Sequence, residues 1–191
     1  MTASVRLASA FPAVLHADLA AALATMPPAD HHSLGTSGVK VNGEHFAIPY
    51  RIYNPEPPSD RVAGLSATQQ TVLQCLYTRH HDGFVRQRYV QQAIGSTHAW
   101  VVPYVVQLVG EYVIEIILVI RDTLSDLDVP GSTQQALYGR FLAENPAFLE
   151  LTSQRVVSYW NCYYRSRYFI WADYPGFQLL SSLHAAALQH A

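Results

Sequence analysis

The stretch WVVPYVVQLVGEYVIEIILVI, residues 100–120, decides the fold. It is long enough to cross a bilayer, yet Gln107, Glu111 and Glu115 interrupt its apolar run. A charge at mid-membrane costs about 2.5–3.5 kcal/mol. The stretch therefore reads as a buried helix and not as a span. The expected helix opens at Thr97 or His98, tolerates Pro103 in its first turn and runs to about Leu124. Four-residue spacing would put Gln107, Glu111 and Glu115 on one face of it.

Working outward, helical periods and breakers divide the rest. Apolar residues recur at three- and four-residue steps over Pro12 to Met26, and Pro27-Pro28 ends that helix. Ala29 to Gly38 reads as a polar linker. Val39 to Ile48 switches to two short strands around Asn42-Gly43, the favoured pair for a two-residue hairpin turn. An isolated hairpin is barely stable, so it should lie on the helices. Pro49 to Pro58 is extended. Ser66 with Gln69 makes a capping box that starts the next helix. Asp82-Gly83 breaks it, and Phe84 to Ile94 follows. Ser132 with Gln135 opens a helix to Glu144. Asn145-Pro146 opens one to about Tyr168, and Tyr174-Pro175-Gly176 turns into the last, Phe177 to Gln189.

The reading is a mainly α, single-domain helical bundle of about six to seven helices with a small β-hairpin near residues 39–48. Residues 1–64 hold the N-terminal helix, linker and hairpin, and residues 65–191 the helical body.

Half of the 191 residues are apolar and only 14% are charged, a balance that suggests apolar surface covered by a partner. The net charge of −2 argues against a nucleic-acid partner. Lys40 is the sole lysine; arginine suits paired and stacked positions, and a GC-rich coding background gives the same bias. Cys75 and Cys162 both sit in apolar helical patterns and read as small buried hydrophobes. His16 and Asp18 interrupt the early apolar run, so no signal peptide is expected and the location should be cytoplasmic.

Three segments could carry chemistry. Residues 78–88 crowd Arg79, His80, His81, Asp82, Arg86 and Arg88 into one helix–turn–helix corner. Arginines near a helix N-terminus would suit a small anionic ligand. His80 and His81 are acid/base candidates, but adjacent helical residues point about 100° apart and do not readily share a metal ion. The plainer expectation is that Asp82 caps the second helix. Glu111 and Glu115, on a helix otherwise apolar, would need a cavity, solvent or basic partners; as an acid/base pair they would face a pocket between helix 98–124 and helix 146–168.

Residues 155–167 combine Arg155, Tyr163, Arg165 and Arg167 with further aromatics. Residues 151–172 hold three arginines and no acid, whereas residues 107–150 hold seven acids and two arginines. Arg155 or Arg165 is therefore expected to meet Glu111 or Glu115. Tyr163 and Arg165 join Arg79, Arg86 and Arg88 as ligand-binding candidates.

No phosphate loop, nucleophile elbow, zinc-protease helix or dinucleotide fingerprint occurs. No metal or cofactor is expected. The leading expectation is a helical protein-interaction or assembly subunit without catalytic activity, a homo-oligomer or a subunit bound to a protein partner. The alternative is a small-molecule enzyme or anionic-ligand binder using Glu111 and Glu115. Neither reading involves nucleic acid or membrane.

Overall fold

A computed structural model describes residues 7–29, 31 and 35–190. Part of the polar linker expected at 29–38 and the first six residues lie outside the described residues. The chain is mainly helical, with nine α-helices among the described residues and one two-stranded antiparallel sheet. No helix among the described residues is long and apolar enough to cross a membrane. The chain forms two compact units, residues 1–39 with 43–96 and residues 40–42 with 97–191.

In the first unit, helix α1 spans His16–Thr25 after a single 3₁₀ turn. Strands β1 (Thr36–Val41) and β2 (Glu44–Pro49) meet at Asn42 and Gly43, whose φ angles of 51° and 84° are what the two central positions of the tight turn require. The Ala47 N–H donates to the Ser9 carbonyl at 2.8 Å, so β2 has a main-chain partner beyond β1. Helix α2 is the short Ser59–Ala63.

Helix α3, Ala67–Tyr77, starts at the expected box. Ser66 accepts from the Gln69 N–H, and the Gln69 side chain accepts from the Ser66 N–H. It packs against both α1 and α4 (Gly83–Ala93). Leu19, Ala22, Val72, Leu73, Leu76 and Val90 are buried there.

In the second unit, a 3₁₀ turn at Ala99–Val101 leads into α5, Val102–Val109, with Pro103 in its first turn as expected. Every residue of α5 is buried, which is the mark of a helix surrounded by others. Helices α6 (Ile114–Thr123), α7 (Thr133–Glu144), α8 (Pro146–Tyr159) and α9 (Pro175–Leu188) pack around it. The α7–α9 contact is the closest. A Cβ added at Gly139 would sit 2.5 Å from the Ala186 carbonyl oxygen, so only glycine allows the approach. Asn145 joins residue 40 to this unit: it accepts from the Lys40 N–H at 2.8 Å and donates to the Lys40 carbonyl at 2.6 Å.

The single long helix expected over 98–124 is two helices. The first ends at Gly110, and Glu111, Tyr112 and Val113 lie outside both. The cause is packing. A Cβ at Gly110 would lie 3.1 Å from the Arg155 Cβ, so α8 crosses there against bare backbone, and the chain turns to let it pass. Apolar periodicity continues across the break because both helices face the same core.

Candidate functional site

In the first unit, the corner after α3 is built by its buried arginines. Arg79 and Arg86 are fully buried. Arg79 Nε donates to the Pro49 carbonyl at 3.3 Å and Nη2 to the Tyr50 carbonyl at 3.1 Å. Arg86 Nη1 donates to the carbonyls of His80 and His81, both at 2.8 Å. The Ile52 N–H donates to the Arg79 carbonyl and the His81 N–H to the Ile52 carbonyl, a parallel bridge. The Arg79 guanidinium thus ties the proline-rich segment onto the corner, and the Arg86 guanidinium braces the corner's own backbone. Asp82 caps α4, accepting from the Phe84 N–H at 2.8 Å. Arg88 is exposed and pairs with Glu56.

His80 is buried beside exposed His81, with ring centroids 4.3 Å apart. Each histidine also stacks on a tyrosine: His80 on Tyr77 at 5.9 Å and His81 on Tyr53 at 5.2 Å. The Asp82 N–H donates to His80 Nδ1 at 3.1 Å, which fixes that nitrogen as an acceptor and the proton on Nε2. Burial, then the neighbouring His81, pushes the His80 imidazole below the ordinary histidine value. Burial and the nearby Glu56 carboxylate push the Tyr89 hydroxyl up to about 12. No group of three or more His, Cys, Asp or Glu side chains placed to hold a metal ion occurs among the described residues.

The acidic stripe of the second unit is not a stripe. Gln107 is buried within α5, Glu111 is buried in the turn after Gly110, and Glu115 is exposed in the first turn of α6. The break in the helix removes the common face, and with it the basis for pairing Glu111 with Glu115 in a pocket along a helix 98–124.

The aromatic segment departs further from expectation. Helix α8 ends at Tyr159 and widens into one π-helical turn, Trp160–Tyr164. The chain then bends back. Trp160 Nε1 donates to the Tyr168 carbonyl at 3.0 Å, and the Tyr164 hydroxyl donates to the Tyr112 carbonyl. The regular α-helix expected over 146–168 ends at Tyr159, and the π-turn and a last turn, in which the Tyr168 N–H donates to the Tyr164 carbonyl at 2.8 Å, carry the coil on to Tyr168.

Behind this bend lies an aromatic cluster. Tyr174 is fully buried, stacked on Tyr164 at 5.5 Å and edge-on to Tyr168 and Phe177. Its hydroxyl has no hydrogen-bond partner among the described residues, and burial pushes its ionisation well up. In front of the bend, Phe169, Ile170 and Trp171 are 85%, 59% and 60% exposed, and Tyr163 is 63% exposed.

Arg165 donates to Asn161 Oδ1 at 3.3 Å and lies 5.7 Å from the Trp160 ring, and Arg167 lies 5.3 Å from the Tyr168 ring. Arg165 thus meets an aromatic face of its own segment and not Glu111 or Glu115. Cys162 is exposed, against the expectation of burial, because no residue of the Trp160–Tyr164 turn is buried; Cys75 is buried, which pushes its thiol up.

Comparison of the chain with protein families, with curated protein sequences and with solved structures finds no match. The site must be read from its own geometry. Of the expected residues, the structure brings Arg79, Arg86, His80 and His81 together in one unit, and Tyr163 with Arg165 in the other. The sequence reading missed the Phe169–Trp171 tip and Tyr112. The signal existed, since three successive large apolar residues precede Asp173-Tyr174-Pro175-Gly176, but a helical period drawn through to Tyr168 concealed it.

Proposed function

We propose that this protein is a helical interaction or assembly subunit without catalytic activity, self-associating through the aromatic segment of its second unit. One observation carries the reading: Phe169, Ile170 and Trp171 stand consecutively in solvent, a few residues after exposed Tyr163 and after Arg165 and Arg167, which lie over the Trp160 and Tyr168 rings. Singly exposed apolar residues are ordinary, but a contiguous apolar run is what a binding partner covers. Trp, Tyr and Arg are also the residue types that dominate binding energy at interfaces. The rigid support is favourable too. The run is anchored by the Trp160 and Tyr164 hydrogen bonds and by buried Tyr174, so little ordering cost accompanies association.

The corner residues Arg79 and Arg86 support the same view by a different route. Arg79 Nε and Nη2 and Arg86 Nη1 donate to carbonyls of their own unit, as structural arginines do. The test is the triple variant F169S/I170S/W171S, measured by sedimentation velocity against the wild type. The wild type is expected to form a discrete oligomer and the variant, at unchanged helicity, a monomer. A wild type that stays monomeric and captures no protein partner overturns the reading.

A further inference from the structure

The second unit carries a triangle of tyrosines drawn from two distant stretches of chain. Tyr112 lies in the turn after Gly110, Tyr159 ends α8 and Tyr163 belongs to the π-turn. The ring centroids of Tyr112 and Tyr159 are 5.9 Å apart, those of Tyr112 and Tyr163 6.3 Å, and those of Tyr159 and Tyr163 6.1 Å. These are the separations of directly packed aromatic pairs. The Tyr164 hydroxyl donates to the Tyr112 carbonyl, so the backbone beneath the triangle is tied as well.

Two of the three rings stand in solvent: Tyr112 is 47% exposed and Tyr163 63%, whereas Tyr159 is half-buried. Exposure decides which ring can hold a one-electron oxidation. A phenol that loses an electron must also shed its proton, and solvent accepts that proton at Tyr112 and Tyr163. Buried Tyr174, behind the bend, does not compete. Its hydroxyl has no hydrogen-bond partner among the described residues to take a proton, and burial disfavours its ionised form. Tyr174 stacks on Tyr164 at 5.5 Å and Tyr164 lies 6.5 Å from Tyr163, so neighbouring rings lead from the cluster out to the surface.

We infer that Tyr112 and Tyr163 are the site of an oxidative cross-link, a dityrosine, that staples the α5–α6 turn to the π-turn after α8. The co-reactant is hydrogen peroxide acting through a haem peroxidase, a one-electron oxidant. Each tyrosine gives up one electron and its phenolic proton. The two radicals couple through ring carbons beside the oxygens, and the hydrogens on those carbons shift to the oxygens. The two electrons and two protons released reduce one peroxide to two waters. Both rings belong to one chain, so the cross-link is independent of the self-association proposed above.

Exposed Cys162 precedes Tyr163 and is the competing oxidisable group. Its sulfenic acid and disulfide products are reversed by thiols, whereas a carbon–carbon bond is not. The test therefore treats the full chain with a haem peroxidase and limiting peroxide, then with dithiothreitol. Dityrosine fluorescence is expected in a species of monomer mobility on a denaturing gel. Mass spectrometry should find the Tyr112 and Tyr163 peptides joined with loss of two hydrogens.

Tyr112→Phe and Tyr163→Phe, which keep the packed rings, should each lose that product. Tyr159→Phe should retain it, as should Tyr50→Phe, which alters an exposed tyrosine of the first unit. A cross-link constrains the unfolded chain, so the oxidised wild type should melt at a higher temperature than oxidised Tyr163→Phe. Fluorescence undiminished in Tyr112→Phe and Tyr163→Phe overturns the inference. So does an oxidised wild type whose dityrosine lies only between chains, or joins only Tyr159 to Tyr163.

Discussion

His80 shows how one side chain can make a corner sensitive to acid. Its Nδ1 is committed as an acceptor of the Asp82 N–H, and its ring faces His81, Tyr77 and Glu56, with Arg79 and Arg86 buried in the same corner. Protonation would break the bond to Asp82 and add charge at a buried site beside His81. The folded-state value lies below the unfolded one, near 6.5, so the unfolded chain takes up the proton first. Stability from this residue is fully present above about pH 6.5. It declines as pH falls from there to the folded-state value and is level below it. Amide exchange over residues 77–86 between about pH 7 and pH 5 should accelerate more in the wild type than in His80→Gln, beyond the intrinsic pH trend. Equal slopes in the two proteins would show that another group sets the response. From the sequence, crowding of bases at 78–88 was legible. Their commitment to carbonyls was not, because it depends on a proline-rich segment whose distance along the chain hides its proximity.

At the scale of elements, glycine positions mark where the helices of the second unit meet. Gly139 lies inside α7, where glycine costs about 0.5–1 kcal/mol relative to alanine. Its added Cβ would strike the main-chain oxygen of Ala186 at 2.5 Å, and a backbone atom in a helix cannot step aside cheaply. Gly139→Ala should therefore destabilise by about 1–3 kcal/mol despite its better helix propensity. Gly95→Ala, with open space around its added Cβ and no positive φ, should stay within about 0.5 kcal/mol. Chemical denaturation of both variants checks the pair, and a neutral Gly139→Ala would mean that α7 and α9 have room to separate.

Elements with local signals were legible from sequence: the Ser66 box, the Asp82 cap, the Asn42-Gly43 turn and the Asn145-Pro146 junction. The break at Gly110 was not. A lone glycine in an apolar run is often tolerated in a helix, and the reason for this break, the crossing of Arg155, lies in another helix.

For the whole molecule, low charge and abundant aromatic residues raise the question of where apolar surface goes. Much of it is buried, and among the described residues left exposed, Phe169, Ile170 and Trp171 form a consecutive run. The proposed association through that tip would couple stability to concentration, since anything that binds only the folded state raises its apparent stability. The melting temperature of the wild type should rise with protein concentration, whereas F169S/I170S/W171S should melt at one temperature throughout. A concentration-independent wild type would oppose self-association.

The sequence by itself determined the class of fold, most helix starts and the hairpin turn, because capping, turn chemistry and apolar period act over a few neighbouring residues. It also determined that residues 101–111 would be buried. Only the tertiary structure decided that the stretch 100–120 is two helices, that the arginines of 79–86 face carbonyls, and that residues 169–171 stand in solvent. Each of those outcomes depends on which distant backbone comes close, and local sequence carries no record of that approach.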